Sequence, residues 1–263
     1  MAATSNNYTE INSAAIDSWV SDGWEWGVPI SNETYREAQQ GRWSVLLTPT
    51  KPVPAEWFAP FLEGGRLDSV ALLGLASGGG QQMPIFAALG ARCTVLDNSG
   101  RQLDNERLVA EREGYAIDVV KADMTKRLPF DDESFDMIFH PVANCYVEDV
   151  YHVWNECFRV LKPGGVLLAG MDNGMAYLFD EDVNPLLVVN ALPYNPLRDA
   201  ALYRKIREQG EDSIQFSHTM EEQIGGQLKV GFILTDLFED SDDSLIGKHV
   251  PLFIATRAVK PRT

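Results

Sequence analysis

LLGLASGGGQQ, residues 72–82, holds four glycines and no charged side chain in eleven positions. An apolar run, SVALLGLA (69–76), leads into it, and Gln81 to Leu89 follows with helical spacing, Pro84 in its first turn and Gly90 as its stop. A strand that runs through glycines into a helix brings bare backbone N–H groups close to a ligand, because no Cβ stands in the way. A phosphate, a nucleoside and an amino-acid moiety all suit such a loop. The residues downstream separate them.

Up to residue 171 short apolar runs alternate with amphipathic stretches, the pattern of βα units on a parallel sheet. RCTVL (92–96) reads as a second strand ending at Asp97, and AIDVV (116–120) as a third ending near Asp123. SFDMIF (134–139) is a fourth, closed by His140-Pro141, and VLLAGM (166–171) a fifth. Between them, SGRQLDNERLVAEREG (99–114) predicts a helix opened by a capping box of Ser99 and Gln102 and stopped by Gly114. VYHVWNECFRVL (150–161) predicts another, ending at Lys162-Pro163-Gly164-Gly165. From 172 to about 216 prolines 185, 193 and 196 break the pattern, which predicts an insertion over the site. A helix over 218–231 and strands over 232–238 and 251–259 complete the series. Residues 1–67 carry five of the six tryptophans and are expected to pack as a cap.

In such a sheet ligands sit at the carboxyl ends of the strands, where the strand order reverses. An acid after the second strand, Asp97, is placed to accept both protons of a ribose diol. Asp123 after the third can accept from an adenine amine while Met124 lies along the ring. A glycine loop alone is weak, but a loop and two acids at these intervals, with FDMI and LKPGG behind them, make a specific pattern.

Over residues 68–171 that pattern resembles a class I S-adenosylmethionine-dependent methyltransferase. The family's first motif falls on Leu72 to Gly80, its ribose acid on Asp97 and its adenine-side acid on Asp123, with FDMIFHPVANCYVED (135–149) at the fourth-strand motif. RVLKPGGVLLAG (159–170) resembles the signature of small-molecule methyltransferases of the ubiquinone-biosynthesis type. LASGGGQQ, VLDNS and HPVANCYVEDV further resemble a bacterial small-molecule subgroup. The resemblance implies a Rossmann-like seven-stranded α/β sheet with helices on both faces, an N-terminal helical cap and an insertion after the fifth strand. It implies S-adenosylmethionine as cofactor and S-adenosylhomocysteine as product. The cofactor-binding set it implies is Ala76, Ser77, Gly78, Gly79, Gln81, Asp97, Asn98, Asp123, Met124, His140 and Pro141. The sequence departs from the family at Gly74, where the motif carries an acid, and at Ala76, where it carries a glycine. The ammonium of the cofactor then needs another holder, either loop carbonyls or the cap.

Two other readings use the same glycines. Gly74-x-x-x-Gly78-x-Gly80 fits the loop of short-chain NAD(P)-dependent oxidoreductases, but their Tyr-x-x-x-Lys pair is missing, Tyr203 meeting Arg207 instead. A non-catalytic S-adenosylmethionine- or nucleoside-binding protein is the other, motivated by Gly74.

His140 is open to two roles, a general base facing the methyl group or a backbone-bonded residue that shapes the pocket. For Asn144 and Tyr146 structural hydrogen bonding is favoured over a substrate role, and His218 is expected to shape the start of its helix. Gln81 or Gln82 can reach the cofactor carboxylate, as can Thr48 or Lys51 from LLTPTKPVP (46–54), though a plain linker is favoured there. Four scattered histidines make no metal site. The net charge of −16, from 22 basic and 38 acidic side chains, opposes nucleic acid and anionic membrane; it leaves a protein acceptor open beside the small-molecule acceptor that the resemblance implies. Three cysteines without a CxxC pair, a polar N-terminus and no long apolar run lead us to expect a reduced, cytoplasmic protein.

Overall fold

The computed structural model describes residues 8–179, 186–209 and 213–262. Its chain opens with two helices, α1 (Tyr8–Ser21) and α2 (Asn32–Gln39). Then come β1 (Ala71–Leu75), α3 (Gln82–Ala88), β2 (Arg92–Asp97), α4 (Gly100–Glu113), β3 (Ile117–Lys121) and β4 (Phe135–His140). α5 (Val150–Val160) and β5 (Leu161–Asp172) follow, then α6 (Ala200–Gln209), α7 (Met220–Val230), β6 (Ile233–Asp240) and β7 (Phe253–Val259). The seven strands lie in the order β3-β2-β1-β4-β5-β7-β6, with β7 antiparallel to both its neighbours and the pairings among β1 to β5 parallel. The order reverses between β1 and β4, which puts the glycine loop at the switch point.

Alternation along the central strands builds two cores. Leu72, Met137 and Val166 point to one face, where α3 and the aromatic residues Trp57, Phe58 and Phe86 cover them. Leu73, Ile138 and Leu167 point to the other, under Trp154, Val153 and Cys157 of α5. Neighbouring residues that serve opposite cores explain the unbroken apolar runs of these strands.

Residues 45–58 belong to the first core: Val45, Leu47, Trp57 and Phe58 are buried in it beside β1 and β2. Nearer the switch point, Trp19 and Trp24 meet edge to face 5.5 Å apart, so the N-terminal tryptophans divide between the core and the cap. The insertion contains one helix the sequence reading did not place, α6. Its Ile206 packs with Ile214, Phe216 and the α1 residues Tyr8 and Ile11.

At the start of α4 only half of the expected capping box exists. Ser99 Oγ accepts from Gln102 N at 3.1 Å, but Ser99 N donates to Asp97 Oδ1 at 2.8 Å and the Gln102 side chain turns away to donate to the Trp26 carbonyl. A carboxylate two residues upstream takes the backbone donor that the glutamine would otherwise accept from. The reciprocal box occurs instead at α7, between Thr219 and Glu222.

Candidate active site

A cavity of about 360 Å³ lies at the carboxyl ends of β1 to β4. Ala76, Ser77 and Gly78 form its floor, Asp97 and Asn98 one wall, Asp123 and Met124 the next, and Pro141 the side under β4. Gln81 also reaches the wall. The structure thus gathers residues that are 65 positions apart at the extremes of that set, because parallel strands bring all their ends to one edge.

Each wall residue is held by local bonds. Asp97 is buried, with Oδ1 accepting from Ser99 N and Oδ2 accepting from Gly78 N at 3.1 Å. Burial pushes its pKa up to about 6, backbone donors at Ser99, Gly78 and Asn98 oppose that rise, and nearby Asp17 adds to it. Each oxygen retains a lone pair for a ligand hydroxyl. Asp123 Oδ1 accepts from Thr125 N at 2.8 Å, which fixes the carboxylate at the turn after β3. Ser77 Oγ is buried at the cavity floor and has no hydrogen-bond partner in the protein.

Gly79 sits at φ +99°, and a Cβ there would stand 2.8 Å from the Trp26 carbonyl oxygen. The loop is therefore pressed against the cap, whose bonds tie it down: Gln102 Nε2 donates to Trp26 O, Asn105 Nδ2 to Gly27 O, and Gln81 Nε2 to the carbonyls of Glu25 and Val28. Gln82 Oε1 accepts from Leu46 N at 3.2 Å. Both glutamines thus use one amide atom each to hold neighbouring segments.

At Gly74 a Cβ would stand 2.5 Å from Met83 Sδ. The fully buried methionine fills the volume that an acid on β1 would need, so the departure from the family motif is a matter of packing.

His140 is fully buried behind the wall and is not among the cavity residues. Its Nδ1 lies 2.8 Å from the Leu75 carbonyl oxygen and its Nε2 lies 3.0 Å from Asn144 Oδ1. Burial lowers its pKa, which favours the neutral ring. A neutral ring donates from Nδ1 and must accept at Nε2. A half-turn of the Asn144 and Gln223 amides, now joined by Asn144 Nδ2 donating to Gln223 Oε1, meets that need and gives the unpartnered Gln223 Nε2 an acceptor. Of the two roles open to His140, the geometry matches the backbone-bonded one: both ring nitrogens are engaged, so neither faces a substrate. His218 Nε2 likewise faces the Asn144 carbonyl oxygen at 3.1 Å.

The cover over the cavity comes from α1. Thr9, Asn12, Ser13 and Ile16, one face of that helix, line it. Ser13 Oγ donates to the Asn98 carbonyl at 2.7 Å, and Asn98 Nδ2 donates to that of Thr9. No described residue between 172 and 216 lines the cavity. The insertion stands one layer out and buttresses α1, with Asn12 Nδ2 donating to Ile214 O and Ile214 N to Asn12 Oδ1. Leu46 to Pro49 also wall the cavity, Thr48 among them, whereas Lys51 lies elsewhere, 4.7 Å from the centre of the Phe238 ring.

Three features escaped the sequence reading. The α1 face of Thr9, Asn12, Ser13 and Ile16 is mostly polar, so no apolar periodicity marks it. Glu106 stands in the apolar stripe of α4 between Leu103 and Val109, fully buried, its Oε1 accepting from Gly80 N at 2.7 Å. Asp242, in the connection from β6 to β7, reaches the cavity with no local signal to mark it.

Comparison with known proteins agrees with this geometry. Residues 73–169 match the family model described as a methyltransferase domain. Along 254 residues the chain is 42% identical to "Uncharacterized methyltransferase YbaJ" of Bacillus subtilis (strain 168), covering 95% of this chain and 97% of that protein. The chain belongs to the class I S-adenosylmethionine-dependent methyltransferases. An S-adenosylmethionine-dependent methyltransferase from Mesorhizobium loti shares the fold with a TM-score of 0.58 at 21% identity, over 78% of this chain and 98% of that one. So does the 1,6-didemethyltoxoflavin-N1-methyltransferase of Burkholderia thailandensis, whose structure holds S-adenosylhomocysteine, with a TM-score of 0.58 at 15% identity over 99% of this methyltransferase and 92% of that chain. The cofactor of the methyltransferase is S-adenosylmethionine. Its cavity fits that molecule: a buried hydroxyl without a partner at Ser77, a floor of the small residues Ala76, Ser77 and Gly78, and acids at the ends of β2 and β3. Among the described residues, no helix is long and apolar enough to cross a membrane.

Proposed function

We propose that this methyltransferase methylates a small molecule by in-line displacement. The observation that carries the reading is the cover: α1 from one side and residues 46–49 from the other wall the strand ends into a cavity. A nucleic-acid acceptor would also meet a net charge of −16.

When bound, S-adenosylmethionine supplies an electrophilic methyl carbon on a sulfonium. Asp97 would accept from the ribose hydroxyls, Asp123 from the adenine amine with Met124 along the ring, and Ser77 would take the methionine end, because the N–H groups of Gly78, Gly79 and Gly80 already donate to Asp97, the Gln102 carbonyl and Glu106. With Met83 in the space that an acid at Gly74 would need, the ammonium would fall to backbone carbonyls of the cap or of residues 46–49. The chain contributes alignment and exclusion of water more than acid–base chemistry. His140 shapes the site from behind by fixing the end of β1 through the Leu75 carbonyl.

Calorimetric titration with S-adenosylmethionine, S-adenosylhomocysteine and NADPH in separate runs tests the cofactor assignment. The first two should bind and the third should not. Incubation with a metabolite pool should then yield a product heavier by one methyl group. A folded protein that binds the cofactor yet methylates only macromolecules would refute the small-molecule reading.

A further inference from the structure

The charge of the cavity narrows the acceptor, on the assumption that the reading just given holds. Among the described residues its wall carries four carboxylates, Glu25, Asp97, Asp123 and Asp242, and no lysine, arginine or histidine. The ribose hydroxyls and adenine amine that Asp97 and Asp123 would receive are uncharged, so the cofactor leaves those two acids unneutralised. An acceptor with a carboxylate or phosphate would lose its hydration and meet no cationic side chain, with four carboxylates opposing its charge.

The acceptor end of the cavity is the part away from the glycine loop. Cys145 and Tyr146, after β4, line it together with Phe253, the first residue of β7, and Asp242, two residues beyond β6. Phe253 pairs with Asp240 on one side and Asp172 on the other, which places Asp242 at the same sheet edge. Ser244 N donates to Asp242 Oδ1 at 3.0 Å and holds the carboxylate in a turn. Aromatic faces beside a carboxylate suit a cation.

The same end lacks a base for other acceptors. Burial raises the Tyr146 phenol and the Cys145 thiol well above their ordinary values, so both keep their protons. His140 lies behind the wall with both nitrogens engaged. An alcohol needs a base during attack, and no lysine or histidine lines that end among the described residues, whereas an amine reaches its neutral, nucleophilic form by losing a proton to solvent.

We propose that the acceptor is an amine, recognised by the Asp242 carboxylate at the end of the cavity that Tyr146 and Phe253 also line. The amine arrives as an ammonium paired with Asp242 and loses one proton to solvent. Its lone pair forms the new N–C bond as the C–S bond breaks, the bonding pair stays on sulfur, and the positive charge passes to nitrogen. The product ammonium sheds a remaining N–H proton by the same route.

The test uses the full chain, S-adenosylmethionine labelled in its methyl group, and a small-molecule extract of bacterial cells split by ion exchange into cationic, neutral and anionic fractions. Binding of S-adenosylhomocysteine is measured first, and its absence would count against the proposed function rather than against the amine. With the cofactor bound, label is expected in a product from the cationic fraction. Label only from the anionic or neutral fraction, or from none, overturns the proposal. The identified amine is then titrated into S-adenosylhomocysteine-loaded protein. Asp242→Asn, which keeps an oxygen for Ser244 N, should weaken amine binding about tenfold or more and change S-adenosylhomocysteine affinity less than twofold. Equal amine affinity in the two proteins removes Asp242 from the site.

Discussion

Glu106→Gln should make the protein more stable in mild alkali while leaving it nearly unchanged in mild acid. The side chain is fully buried, Oε1 accepts from Gly80 N, and Oε2 has no partner. Burial pushes the Glu106 pKa from 4.5 up to about 8; the Gly80 bond opposes the rise and nearby Asp97 adds to it. Between those two values the native state binds a proton that the unfolded chain has lost. Stability is therefore complete below about pH 4.5 and falls as pH rises through about 8, the opposite of a salt-bridged acid. Each unit of difference is worth about 1.4 kcal/mol, so the whole window is on the order of 3 to 5 kcal/mol. Glutamine has nearly the same shape, keeps an oxygen for Gly80 N and does not ionise. Urea unfolding of both proteins at pH 5, 7 and 8.5 reads the difference directly, because every other titrating group is shared. The two curves should nearly coincide at pH 5, and the variant should lead by several kcal/mol at pH 8.5. A gap that stays constant with pH would show that Glu106 is charged throughout and would refute the argument.

Asp97→Ala should weaken S-adenosylhomocysteine binding by ~1.5–3 kcal/mol, roughly ten- to over a hundredfold, by loss of charge-assisted bonds to the ribose. Calorimetry on protein shown to be folded checks this, and unchanged affinity would remove Asp97 from the ribose position. Gly74→Asp, which restores the family's acid, should destabilise the protein by about 1–3 kcal/mol without tightening cofactor binding, since its Cβ would stand 2.5 Å from Met83 Sδ. Adding Met83→Ala should relieve the clash, and a Gly74→Asp protein with an undiminished denaturation midpoint would show that Met83 yields the space freely.

Much of the fold was legible because its signals are local. Period-two and period-3.6 spacing place the strands and helices from residue 69 to 171, and Asp97 and Asp123 are marked as ligand positions by ending or closely following strands. The glycines at 78–80 announce close approach, though from sequence the approaching group looked like ligand alone; the structure adds the Trp26 carbonyl, 2.8 Å from where a Gly79 Cβ would be. Gln102 shows the limit of a local rule. Its spacing from Ser99 fits a capping box, but two partners distant in sequence or orientation, Asp97 and Trp26, claim the groups that would have closed it.

What covers the cavity was a tertiary matter. The proline-broken stretch after β5 and the tryptophan-rich N-terminus were both candidates, and α1 takes the wall because Asn12, Asn98 and Ile214 bond it there across as many as 202 residues. His140 was equally undecidable from its place at the end of β4, since a strand end offers both an inward and a cavity-facing rotamer. The Leu75 carbonyl and Asn144, each engaging one ring nitrogen, decide it. Asp242 carries no signal at all, because a carboxylate in a loop reads the same whether it faces water or a binding cavity. The sequence by itself determined which strands form and which ends carry acids, through periodicity and local sterics. The tertiary structure decided which side chains face the cavity and with what charge, because burial and long-range hydrogen bonds act only once the chain has closed on itself.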